Sequence, residues 1–232
     1  MADETAVAET EETAVEVDDA REEMLAAITN ELGDAVVESF VKPGDDVWIR
    51  VSRDAWVETA NVLKSGLGFG FFNFLSAIDW LPSPYGRDMD AQADLAMSPP
   101  EPVEAAPIET GYAGGDTRFQ VFARVNDIQN ARAVTIKVDL PDDDLSLNTW
   151  IPVYPGANWH EREAREMFGI DFTGHPNPRH LYLPGAFEGF PMRKDFALLA
   201  RRIKPWPGIV DVEQMPGEDD EASDDASNGG DA

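Results

Sequence analysis

The chain has no cysteine. That excludes disulfides, thiolate nucleophiles and cysteine-held iron–sulfur clusters supplied by this polypeptide. Histidine is scarce, with three in 232 residues. Bases are few as well: 18 lysines and arginines face 45 acidic residues, for a net charge of −27. A chain so short of positive charge has no broad basic face to neutralise phosphates, which argues against free nucleic-acid binding. Long apolar runs are missing too. The longest, Leu67–Trp80, is interrupted by Asn73, Ser76 and Asp79 and is too short to cross a bilayer. The N-terminus is acidic without an apolar stretch and does not read as a secretory signal. These absences imply a soluble, cytoplasmic chain, with any membrane link running through another protein.

The negative charge is concentrated at the ends. Residues 1–23 hold ten acids against one arginine, and residues 211–232 hold nine acids and no base. Both ends lack the apolar surface needed to offset the entropy of ordering them, so 1–17 and 211–232 read as disordered tails.

Between them the pattern is α+β. Met24, Leu25, Ile28 and Leu32 form one helical stripe over 19–32, with Gly33 at the stop. Residues 35–40 and 47–51 suit two strands, and Ser52 can cap a helix over 53–64 with Trp56, Ala60 and Leu63 inward. Residues 69–80 read as a buried strand rich in aromatics. A Pro-rich insertion follows at 81–115. Residues 117–126 and 132–140 alternate as a hairpin, with Arg118, Gln120 and Arg124 opposite Phe119, Val121, Ala123 and Val125, and Thr135, Lys137 and Asp139 opposite Val134, Ile136 and Val138. The architecture expected for 18–140 is a two-layer domain with helices packed on a mixed sheet. A short helix and a long extended arm follow over 141–210.

Residues 159–196 are the densest in chemistry. Asn158 and Glu161 have capping-box spacing, and Gly169 closes a helix over 159–168. Glu161 and Arg165, like Arg162 and Glu166, stand four apart as helical ion pairs. From Trp159 to Val210 there are eight basic and six acidic residues, the one stretch with a positive balance. Arginines and large aromatics dominate buried protein contacts, so this strip reads as an arm laid on a partner.

Catalytic motifs fail here. His160-Glu161 opens like a zinc-protease helix, but Ala164 stands where the second histidine belongs. A metal hydrolase built on His160, Glu163, His175 and His180 is the alternative from another class. Gly66-x-Gly68-x-Gly70 is followed by Phe71 and a strand, not by the helix of a dinucleotide fold.

The run Glu161-Arg162-Glu163, Glu166-Met167-Phe168-Gly169-Ile170, then Gly174-His175-Pro176 and Arg179, is similar to a family signature. It resembles that of the C subunit of proton-pumping NADH:quinone oxidoreductase, respiratory complex I. Gly189–Phe196 resembles that family's second block. The chain departs in three places: Glu166 where aspartate is common, His180 where a second arginine is frequent, and the insertion 81–115 with both acidic tails as additions. The resemblance implies a peripheral-arm protein on the cytoplasmic side of the cell membrane, without a cofactor of its own. FMN, iron–sulfur clusters and quinone would belong to its partners in the complex. The partners implied are chiefly the large hydrogenase-like D subunit, together with the B subunit. The residues expected at that interface are Trp159, Glu161, Arg162, Glu163, Glu166, His175, Arg179, Arg193 and Lys194. The equivalent component of a membrane-bound hydrogenase-type complex would carry the same signature.

Overall fold

A computed structural model describes residues 18–82 and 107–196. The two acidic tails, the end of the arm and most of the 81–115 insertion lie outside them. Helix α1 spans Asp19–Leu32, started by the Asp18 carboxylate accepting from the Arg21 amide at 3.2 Å. Gly33 ends it at φ +54°, a conformation that favours glycine. Met24, Ile28 and Leu32 are its buried stripe.

Strands β1 (Val36–Val41) and β2 (Val47–Val51) form a hairpin over a turn containing Gly44 at φ +75°. The stretch expected to be one helix is three. A 3₁₀ turn at Arg53–Ala55 leads into α2 (Trp56–Asn61), and the chain then widens into a π turn at Val62–Gly66. The Ser52 side chain makes no capping bond; its carbonyl accepts the Ala55 amide at 3.1 Å. The inward set is as expected, with Trp56, Ala60 and Leu63 wholly buried.

Strands β3 (Phe71–Asp79), β4 (Phe119–Asp127) and β5 (Arg132–Leu140) complete a five-stranded mixed sheet of order β1-β2-β5-β4-β3. All neighbours are antiparallel except β2 and β5. One face carries the core. Ile49, Ile136, Ala123 and Leu75 stand in register across four strands and are buried.

Beyond Leu140 the chain keeps building that core. Strand β6 (Ser146–Asn148), helix α3 (Ala157–Phe168) and strand β7 (Asp171–Thr173) follow, with β6 and β7 paired in parallel. Leu147, Trp150, Tyr154, Ala164, Phe168 and Ile170 join the same apolar cluster as the sheet. Trp150 stacks on Trp56 with centroids 4.2 Å apart, and its indole N–H donates to the Trp56 carbonyl at 3.0 Å. Removing a buried indole of this kind costs about 3–5 kcal/mol.

The second sheet face is covered by chain as well. Gln120, Thr135 and Lys137 are each at most 2 % exposed. Residues 107–118 cross that face. Lys137 donates to the Tyr112 and Gly114 carbonyls at 2.8 and 2.9 Å. Arg50 binds Asp139, Asp116 and Glu38 at 2.6–2.9 Å. A buried guanidinium is tolerable because three carboxylates share it, and they hold its proton more tightly than usual against the cost of burial.

Candidate functional site

Helix α3 begins earlier than its capping-box spacing suggests. The Ala157 amide donates to the Tyr154 carbonyl at 2.9 Å, and Gly156 occupies the N-cap without a side-chain cap. Asn158 and Glu161 therefore do not form a capping box. Glu161 turns into the protein instead. Its carboxylate accepts the Thr149 hydroxyl and the Trp150 amide, both at 2.6 Å, and it is wholly buried. Burial with no cation beside it pushes the Glu161 pKa up to about 7, against the two bonds that favour its charged form.

The expected four-apart ion pairs are also absent among the described residues. Arg162 and Glu166 reach past one another to the arm's backbone. Arg162 donates from Nε to the Arg179 carbonyl and from Nη2 to the His180 carbonyl, each at 2.8 Å. Glu166 accepts the amides of Leu181 and Tyr182 at 2.9 Å and of Leu183 at 3.3 Å. Arg165 adds the Pro178 carbonyl at 2.8 Å. The cation holds carbonyls, the anion holds amides, and both read peptide groups of residues 178–183. Such charge-assisted bonds are roughly twice as strong as neutral ones.

The second signature block is held in the same way. Gly169 closes α3 in the left-handed region at φ +78°. A Cβ there would also lie 2.7 Å from the Phe190 ring. Arg193 donates to the Phe168 carbonyl at 2.6 Å and caps the helix end. The Lys194 amide then reaches Asp79, the last residue of β3, at 2.8 Å. Asp79 is the anchor of this end. Arg118 binds it bidentately at 2.8 and 2.7 Å, and the Leu81 amide donates at 3.0 Å. Burial raises the Asp79 pKa, but these donors outweigh it and hold the carboxyl below its ordinary value. Arg118 extends to Asp195 at 3.0 Å, which ties the arm to the sheet twice over.

Of the nine residues expected at a partner surface, three are buried within this chain: Glu161, Arg162 and Glu166. Arg193 and His175 are partly buried and bonded inward, His175 to the Asn158 carbonyl at 3.1 Å. Trp159, Arg179 and Lys194 are exposed, and Glu163 is half-buried on the outer side of α3. Trp159 is 67 % exposed and Tyr182 65 %, with Met192 at 55 %. Those are large apolar groups to leave in water.

Asp79 and Arg118 do not stand out in the sequence, although one signal is there. Asp79 falls on the core-facing alternation of β3 with Leu75 and Ala77, where a carboxylate needs a buried partner.

The metal alternative finds no geometry. Among the described residues no three histidine or carboxylate side chains approach closely enough to hold an ion. His160 and His180 contact the carbonyls of Leu75 and Pro184, and Glu163 joins neither. Among the described residues no helix is long and apolar enough to cross a membrane.

Known proteins agree with the signature. The NADH-quinone oxidoreductase C/D subunit of Cronobacter sakazakii is 44% identical over 97 residues, 42% of this chain and 16% of that protein. Its counterpart from Buchnera aphidicola is 46% identical over 78 residues, 34% of this chain and 13% of that one. The matched stretch is thus about a sixth or less of the length of these curated relatives. A solved structure of an archaeal membrane-bound sulfane sulfur reductase superposes with a TM-score of 0.53 at 20% identity, covering 77% of this chain and 86% of that chain. At that identity the likeness is one of fold. The family model of the respiratory-chain NADH dehydrogenase 30 kDa subunit matches residues 49–202, from β2 through both signature blocks. With most of its length matched, the chain belongs to the family of the 30 kDa subunit of respiratory-chain NADH dehydrogenase.

Proposed function

We propose that this chain is a cofactor-free brace in the peripheral arm of NADH:quinone oxidoreductase, on the cytoplasmic side of the membrane. It performs no bond-making. Its partners are chiefly the D subunit, with the B subunit, and these hold the quinone site that receives electrons from NADH. The names of the relatives join C and D in one protein, which supports D as the immediate neighbour.

The observation that carries this reading is the division of labour on α3 and its arm. Arg162, Glu166 and Asp79 are spent on fixing the arm's backbone. Trp159, Tyr182 and Met192 stay exposed among the described residues. A preorganised aromatic surface binds with less entropy lost on docking. Trp159 with Glu163 on α3, and Tyr182, Arg179 and Lys194 on the arm, form the docking face. A brace acts on rate through position, since misplacing reacting groups by about 1 Å can cost on the order of 100-fold.

The test is purification of the tagged full chain from its own cells with identification of the co-purifying proteins. The D and B subunits and an NADH-oxidising flavoprotein are expected. A hydrogenase in place of the flavoprotein would favour the related membrane-bound complex. The double variant Trp159→Ala, Glu163→Lys should fold normally yet recover at least fivefold less of the D subunit. Undiminished recovery would remove the docking face from this account.

A further inference from the structure

A cavity of about 550 Å³ opens on the second sheet face, between the strands and the segment that crosses them. Its floor is Ile78 of β3, Phe122 of β4 and Lys137 of β5; its walls are Trp48, Trp80 and Tyr112. The floor follows from register, because Phe122 and Lys137 are directly paired across β4 and β5. The walls are fixed. Tyr112 stacks on Phe40 with centroids 4.6 Å apart and planes within 8°. Trp80 donates from its indole to Gln120 at 2.7 Å. A Cβ on Gly111 would come within 3.1 Å of the Trp80 ring, so the backbone reaches this wall closely at a glycine.

Lys137 is the one charged group on this lining. It is 2 % exposed and donates two hydrogen bonds, both to neutral carbonyls. Its third N–H has no oxygen or nitrogen acceptor among the described residues, and the ammonium lies 5.4 Å from the centre of the Trp80 ring. Asp139 and Glu38 attract it and Arg50 repels it, but the Asp139 oxygens are engaged by Arg50 at 2.6 Å and Gln120 at 2.6 Å, and Glu38 is held by Arg50 at 2.9 Å. Burial pulls the Lys137 pKa down to about 8, so the amine is still largely charged at neutral pH and poorly solvated.

We propose that this cavity binds a flat aromatic anion, with its ring among Trp48, Trp80 and Phe122 and its charged group on the Lys137 ammonium. The volume is in the range of small-molecule sites, which pair apolar walls with a few placed polar groups. A neutral ring would leave the Lys137 ammonium with the Trp80 ring and no counter-charge from the ligand. An organic cation would face the ammonium directly. A bare inorganic anion would forgo the aromatic walls and meet the field of a chain of net charge −27. The inference stands apart from the docking face of α3 and does not depend on it.

The experiment titrates the full chain with 8-anilinonaphthalene-1-sulfonate and with its uncharged counterpart N-phenyl-1-naphthylamine, followed by probe fluorescence. One sulfonate probe should bind per chain, and its affinity should fall as the pH rises through about 8, where Lys137 loses its proton. Lys137→Met should weaken the sulfonate at least tenfold and change the neutral probe less than threefold. Ile78→Trp fills the floor, keeps the lysine and should abolish both. Far-UV circular dichroism reports folding of each variant; should Lys137→Met fail to fold, Ile78→Trp and the pH dependence decide. Absence of stoichiometric binding, or sulfonate binding indifferent to Ile78→Trp, would overturn the assignment.

Discussion

Helix α3 shows its own chain one face and solvent another, and the two are built from different residues. Inward, Glu161, Arg162 and Glu166 are buried and make seven hydrogen bonds among them, all but one to backbone groups. Outward, Trp159 is 67 % exposed, and Glu163 makes no hydrogen bond among the described residues. Charge density in a signature is easily taken for a surface. Here the charges bind peptide groups of the same chain, and the apolar ring stays exposed. On the proposed reading the inward face determines shape and the outward face contact, so substitutions on the two should separate stability from assembly.

The largest effect is expected at the far anchor of the arm. Asp79→Ala leaves Arg118 without its bidentate partner and should cost about 3–5 kcal/mol of unfolding free energy. Urea unfolding measures it, and a cost near zero would mean the arm is not tied to β3. Next comes the pH response of Glu161. A carboxyl with a raised folded pKa stabilises below its ordinary 4.5 and loses that contribution as pH rises to about 7. Over that window the wild type should lose about 3 kcal/mol relative to Glu161→Gln. The glutamine can donate to Thr149 and accept from Trp150, so the difference reports ionisation rather than a lost bond. Parallel stability curves for the two proteins would contradict the assignment.

Glu166→Ala should cost about 2 kcal/mol, because it strands three amides that are only partly reached by water. Limited proteolysis should then cut within residues 178–183, which resist in the wild type. The smallest stability effect belongs to the outward face. Trp159→Ala should change unfolding free energy by less than about 0.5 kcal/mol while weakening association with the D subunit. A substantial loss of stability there would blur the division between the two faces.

Much of this was legible in the chain. The stripe Met24, Ile28, Leu32 and the stop at Gly33 placed α1 to the residue. Strand β2 and strand β5 fell where alternation put them. What was hidden has physical reasons. Strands β6 and β7 are three residues each, too short for any period to show. The spacing Asn158 to Glu161 fits a capping box, but a local motif lost to the unmet donors of Thr149 and Trp150. The ion pairs Glu161–Arg165 and Arg162–Glu166 follow from helical geometry alone. They gave way because a buried arginine or glutamate gains more from peptide groups inside the protein than from a solvated pair worth roughly a few tenths of a kcal/mol. Alternation separated the two sides of β4 and β5 but cannot show that residues 107–118 fold back over the polar one.

The most direct measurement is amide hydrogen exchange at Leu181, Tyr182 and Leu183 in the full chain without partners. The three amides should be protected in the wild type and exchange at least tenfold faster in Glu166→Ala. Wild-type amides exchanging at the rate of an open chain would contradict the account, because the arm would then be ordered by its neighbour and not by α3.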